Sequence, residues 1–299
     1  MRVCIGWKEK RPKGRRGMRK LYVKTALTDV WSSPGDDPET ARLTQALLGD
    51  AVEVEQERGG WVFGRVEDGY RGWLPASALT PEAPPPGREV LVCVPRAQLF
   101  REGLRAGAEE QQLPAHAFLG TRLVELGRLG ETVEVAFPGG RALIAASAVN
   151  RLPSVSDAQG VPRAALYYAR LLLSSPYLLG GITCSGVDCS GLVYIAYRTA
   201  GVILPRDADW QYDYTKEVAS PAPGDLVFFA TEEPGFPAHV GLYLGEECFL
   251  HASSRLGGVV VTSLHSPFYR RCYLGAHRLT FAKEGFPGAE SEDTTRISI

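Results

Sequence analysis

Cys189 stands in the string GGITCSGVDCSGLVYIAYRTAG, where a glycine-rich loop turns into an apolar-periodic helix. A thiol placed there has the makings of a nucleophile. The thiolate is the reactive form, and a helix N-terminus favours it through unpaired N–H groups and the positive end of the helix dipole. Asp188 is a good N-cap type; Leu192, Val193, Ile195 and Ala196 supply one apolar helical face; Gly201 suits the stop. Taken alone, Cys189 equally fits a small buried hydrophobe. The downstream residues shift the balance. PGDLVFFA (223–230) reads as a turn and a strand, and HVGLYLG (239–245) and CFLHASS (248–254) as two strands joined through Gly-Glu-Glu. A hairpin centred near Gly245 sets His239 opposite His251, and directly opposed residues share a face with Cβ atoms roughly 4.5–5.5 Å apart. A thiol at a helix start, a histidine opening a strand and a second polar ring together make a nucleophile, a base and an orienting group.

The elements that must position these residues follow from the rest of the chain. Its 299 residues allow two or three domains, and its 44% hydrophobic and 22% charged fractions are ordinary for a globular protein. A net charge of −1 gives no bulk basicity for nucleic acid. No apolar run reaches the ~18–20 residues that span a bilayer. The six cysteines (4, 93, 184, 189, 248 and 272) lack regular spacing, so no disulfide framework is expected. Cys184 is placed to be a redox partner of Cys189 or a reduced neighbour. A zinc site of Cys184, Cys189, His239 and His251 lacks any Cys-x-x-Cys or His-x-x-x-His element, so neither a metal nor a cofactor is expected. The basic start, residues 1–19, has no apolar core of a signal peptide and reads as a disordered tail rather than a polyanion-binding arm. That start points to a cytoplasmic location, with the cell envelope as the alternative. Residues 282–299 read as a polar tail.

PEAPPPG (81–87) is a stiff linker and LPSVSDAQGVP (152–162) a second boundary. The segments before them end alike, in LPASAL and IAASAV, and LLGDAVEVE and FLGTRLVEL align at a similar offset, an internal repeat of about 70 residues. Each copy reads as short strands and turns, with Gly59-Gly60 and Asp68-Gly69 as turn signals in the first. The expected fold is α+β: two small barrels, at 20–80 and 88–152, ahead of a third domain at 153–281. The second barrel carries an extra stretch, REGLRAGAEEQQLPAHAF, read as a loop or short helix. His116, His265 and His277 have no partner pattern and read as structural or solvent-facing.

YLLGG…GVDCSG, PGDLVFF, HVGLYLG and FLHAS, in that order, resemble the NlpC-type cell-wall cysteine peptidases, a reduced papain-like fold. The resemblance implies Cys189 as nucleophile, His239 as base and His251 as the third polar residue. It also implies Tyr177 near the oxyanion, and Asp188 and Ser190 beside the substrate. Leu179 departs from the tryptophan that many members carry. The first repeat, with DVWSSPG and GYRGWLP, is similar to bacterial SH3-like domains. Two such domains ahead of an NlpC-type domain resemble the enzymes that cleave free muropeptides after L-Ala-γ-D-Glu. That resemblance implies that Tyr70 and Asp207, the latter in LPRDADWQY, hold the free amine of the substrate, and Ala208 departs from a frequent serine. The implied partner is a peptidoglycan-derived peptide, L-Ala-γ-D-Glu-diamino acid, with neither nucleic acid nor membrane. Alternatives are an exported hydrolase of intact peptidoglycan, a silent wall-peptide binding module, and an acyltransferase or amidase on the same fold.

Overall fold

The computed structural model describes residues 19–35, 40–101, 114–151 and 160–280. Both expected tails except Arg19, most of the extra stretch of the second barrel and most of the boundary at 152–162 lie outside the described residues.

The first barrel is built from short alternating strands: Lys20–Val23, Leu27–Trp31, Arg42–Leu47, Ala51–Arg58, Trp61–Arg65, Arg71–Pro75 and Leu79–Thr80. They form one antiparallel sheet, bent by bulges at Val30/Trp31 and Val54/Gln56. Inward-facing Val23, Val30, Val52, Val62 and Leu74 fill it. The second barrel pairs Arg88–Val92, Arg122–Leu129, Thr132–Phe137, Gly140–Ala145 and Val149–Arg151 around Val90, Val92, Val133, Val135 and Ile144. A ribbon of Arg96–Gln98 and His116–Phe118 is tied on through Phe100 and Leu143. The repeat is visible in the backbone. Each barrel ends in an Ala-Ser-Ala 3₁₀ turn, at Ala76–Ala78 and Ala146–Ala148. Gly49 and Gly120 occupy the same turn, both at positive φ, with their N–H groups donating to Val23 O at 2.9 Å and Val92 O at 3.0 Å.

The third unit places helices on an antiparallel six-stranded sheet. The strand order is Lys216–Val218, Tyr273–Arg278, Leu226–Phe229, His239–Gly245, Cys248–Ser253 and Gly258–Ser263. The helices are α1 (Gly160–Arg170), α2 (Cys189–Thr199), α3 (Ala208–Tyr214) and α4 (Pro267–Cys272). The sequence shows one apolar face on α2, but every residue of this helix is buried. The sheet and α1 cover part of it, and Leu47, Phe118 and Leu119 of the two barrels join the same core cluster. Such all-round burial is the mark of a central helix.

Candidate active site

The loop before α2 is held by one carboxylate. Asp188 caps the helix by accepting from Gly191 N at 2.7 Å, and it also accepts from Gly180 N at 2.7 Å. Arg206 forks onto both of its oxygens at 2.9 and 2.8 Å, a bidentate charge-assisted pair. Arg206, itself fully buried, further donates to Ser190 Oγ at 2.9 Å and Gly181 O at 3.2 Å. Gly191 is required by this closeness: a Cβ there would lie 2.2 Å from Gly181 O. Asp188 and Ser190, expected beside the substrate, therefore have their side chains committed inside the protein.

Cys189 opens α2 as expected, but it is only 9% exposed. Burial pushes its thiol up to about 12, the Asp188 carboxylate adds to that, and the N–H groups of Val240 and Ser190 against the sulfur pull the other way. The helix start alone suggested a lowered pKa; desolvation outweighs it. Cys184 is a free thiol turned to Pro95 O at 3.4 Å.

His239 and His251 meet, though by a different register from the expected one. Glu246 and Glu247 form the turn at positive φ and Gly245 pairs with Cys248. A bulge then follows, so that Leu242 pairs with Leu250. Continued, this sets His251 opposite Gly241 and leaves His239 on the diagonal, within reach of a long side chain. A Cβ on Gly241 would lie 3.1 Å from His251 Cβ and 2.7 Å from Phe249, so the glycine is what lets the second ring fit. His239 Nε2 lies 2.8 Å from His251 Nδ1, and His251 Nε2 lies 2.9 Å from Thr262 Oγ1. One tautomer satisfies this chain when His239 accepts a proton at Nδ1: His239 Nε2–H donates to His251, whose Nε2–H donates to Thr262.

An aromatic box surrounds the pair. Tyr269 stacks on His239 with ring centroids 5.8 Å apart, Phe229 lies 5.9 Å from the same ring, and Phe249 lies 4.5 Å from His251. Burial in this box holds His239 at about 4, although Asp188 pulls it upward, and His251 at about 2, with His239 adding to the depression. Burial thus favours the uncharged form of the thiol and of both imidazoles.

Tyr70 and Asp207, distant in sequence, come together: the Tyr70 hydroxyl donates to Asp207 Oδ2. Tyr70 also stacks on Trp210 of α3 with centroids 5.9 Å apart. Asp207 sits at the N-cap position of α3 but makes no side-chain cap bond, so its carboxylate faces the tyrosine. Burial raises both pKa values above their ordinary ranges. Tyr177 donates its N–H to Gly257 O at 2.9 Å and bridges Val187, two residues before the thiol. Leu179 is exposed. The sequence reading missed Arg206, Thr262, Tyr269 and Trp210. Arg206 directly precedes Asp207, yet its partners lie up to 162 residues away.

Comparison with known proteins gives the family. Residues 174–278 match the NlpC/P60 family, and residues 35–79 match the bacterial dipeptidyl-peptidase Sh3 domain. The gamma-D-glutamyl-L-lysine dipeptidyl-peptidase of Bacillus subtilis (strain 168) is 32% identical over 249 residues, 77% of this chain and 81% of that protein. The chain belongs to the NlpC/P60 family. The Bacillus cereus (strain ATCC 10987 / NRS 248) protein of the same name is 30% identical over 79% of this chain and 74% of its own length. The probable peptidoglycan endopeptidase LytE of Bacillus subtilis is 38% identical over 110 residues, but this covers only 32% of LytE. A crystal structure of an NlpC/P60 family protein from Bacillus cereus superposes with a TM-score of 0.75 at 23% identity, over 87% of this chain and 99% of that one. A strand-rich, SH3-like N-terminal region and an NlpC/P60 peptidase domain are thus features of this chain's fold.

Proposed function

We propose that the chain is a cysteine peptidase that hydrolyses the bond between γ-D-glutamate and a diamino acid in peptidoglycan stem peptides. It releases L-Ala-γ-D-Glu from free peptides whose N-terminal L-alanine is unblocked. The observation that carries this reading is the contact between Tyr70 of the first barrel and Asp207 of the peptidase domain. A carboxylate and a phenol oxygen side by side are the chemistry that holds an ammonium group. The names of the full-length relatives support the same substrate class.

In this reading Cys189 sulfur attacks the γ-amide carbonyl while His239 takes the thiol proton, so that charge develops only as the bond forms. His251 and Thr262 hold the ring in the tautomer that can accept at Nδ1. The tetrahedral intermediate collapses as His239 returns the proton to the leaving amine, and a thioester remains. Water, deprotonated by His239, attacks the thioester; the dipeptide carboxylate leaves and the thiol is restored. Tyr177, which bridges Val187 two residues before the thiol, is assigned to the oxyanion side. Incubation with L-Ala-γ-D-Glu-diaminopimelate, its N-acetylated form and intact sacculi tests the proposal. Cleavage of the free-amine peptide tenfold to a few hundredfold faster than the acetylated one supports it. Equal cleavage of the two, or preference for sacculi, would favour a general wall hydrolase.

A further inference from the structure

Tyr70 closes the turn Glu67–Tyr70, and two buried arginines of the peptidase domain hold that turn from below. Arg206 Nε donates to Thr44 Oγ1 at 3.1 Å, Thr44 donates to Asp68 Oδ2 at 2.6 Å, and Asp68 Oδ1 accepts from Tyr70 N at 2.9 Å. Arg198, in the last turn of α2, reaches Glu67 Oε2 at 3.0 Å with the same Nη1 that donates to Asp50 Oδ2 at 3.0 Å. Its Nε donates to Gly120 O of the second barrel at 3.2 Å. Arg122, also of the second barrel, donates to Glu67 Oε1 at 2.7 Å. Glu67 is therefore clamped between guanidinium groups from the two other units, three residues before the tyrosine that meets Asp207. Two cations, Arg198 and Arg122, face two carboxylates, Asp50 and Glu67, and Arg198 is 1% exposed. A balanced cluster of this kind is held in one geometry, because moving one member strands another without its partner.

We propose that Glu67 is a specificity-determining positioning residue. Clamped by Arg198 and Arg122, its carboxylate fixes the Glu67–Tyr70 turn and thereby sets the preference for a free over a blocked N-terminus without touching the substrate. The inference rests on the reading of Tyr70 and Asp207 as the amine site. Glu67 adds nothing to the thiol, the histidines or the leaving-group side, so its loss acts on one substrate and not the other.

The test compares full-length wild type, Glu67→Gln and Arg122→Gln on free-amine and N-acetylated L-Ala-γ-D-Glu-diaminopimelate. Glu67→Gln removes the charge that the arginines grip and keeps the shape. It should lower kcat/KM for the free-amine peptide about tenfold, mostly through KM, and leave the acetylated peptide within about twofold. Arg122→Gln, which leaves Arg198 on Glu67, should fall in between and serves if Glu67→Gln does not fold. Equal loss on both peptides would mean that Glu67 is only structural, and an unchanged ratio would mean that the turn holds itself; either result overturns the inference alone. A wild-type enzyme that treats the two peptides alike overturns the amine-site reading and this inference with it.

Discussion

The two barrels are copies of one plan, yet among the described residues the first alone reaches the candidate site. The difference lies in one hairpin. In the first barrel Arg65 pairs with Arg71, and Val66–Tyr70 loop out between them. In the second, Phe137 pairs with Gly140, and Pro138 and Gly139 make the connection alone. The longer loop carries Glu67, Asp68 and Tyr70 onto the peptidase domain; the shorter one has no residue to send. At one other turn the copies behave alike. The turn at Gly49–Asp50 and its counterpart at Gly120–Thr121 both meet Arg198, one through a carboxylate and the other through a backbone carbonyl. A repeated scaffold can thus give both copies the same docking contact and only one of them a part in recognition.

The sharpest check on this contrast removes the chemistry itself. Cys189→Ala should lower turnover of free-amine and acetylated peptides alike by roughly 10³-fold or more. His239→Ala should cost about 10²–10⁴-fold on both, and His251→Ala less, because it orients the base and transfers no proton. A kcat loss in His251→Ala exceeding that in His239→Ala would reverse these two roles.

Next in size are the residues that the first barrel's loop brings together. Asp207→Asn and Tyr70→Phe should weaken the free-amine peptide by tenfold to a few hundredfold while sparing the acetylated one. Comparable losses on both peptides would remove the distinction drawn between the barrels.

The pH dependence divides the same way. The base must be neutral to accept a proton, and burial holds His239 at about 4. Cleavage of the acetylated peptide should therefore be undiminished at pH 6 and fall only as pH approaches 4. Preference for the free amine needs Asp207 ionised and the ammonium protonated. Because Asp207 is raised above its ordinary value, the preference should grow as pH rises through the acid range. It should fade above about pH 8 as the α-amine loses its proton. Profiles of kcat/KM for the two peptides check this, and parallel acid limbs would contradict it.

The smallest effect is expected in the second barrel. Arg141 makes only a loose pair with Glu134 at 3.8 Å and is 47% exposed. Arg141→Ala should leave the ratio of the two peptides unchanged and shift stability by no more than about 0.5 kcal/mol. A change in the ratio would show that this barrel, too, acts on the substrate.

Much of the site was legible before any fold was known, because its signals are local. Cys189 follows an N-cap residue and precedes an apolar helix, and the histidines sit in alternating strands. The hairpin register was misread because a bulge near Leu244 offsets the turn by one residue, and nothing in HVGLYLGEECFLHAS marks a bulge. Arg198 reads as an ordinary charged residue of a helix. Only the barrels, 148 residues away at Asp50, make it a buried one. The thiol pKa was misjudged for a related reason: the helix start is visible in sequence, while the burial that outweighs it comes from packing of the whole molecule. Tyr269 and Thr262 belong to the site through strand order and the placement of α4, which no local pattern encodes.

The meeting of three units at Arg198 bears on how the chain melts. Removing one partner of a buried ion pair costs about 3–5 kcal/mol. Each unit taken alone keeps only part of the cluster: the peptidase domain Arg198, the first barrel Asp50 and Glu67, the second Arg122 and the Gly120 carbonyl. Undocking one unit breaks these pairs and uncovers the core in which Leu47, Phe118 and Leu119 of the barrels pack with α2. With one core shared by three units, the thermal transition should be a single cooperative one, and a peptidase domain cut free of its barrels should melt at a markedly lower temperature than the whole chain.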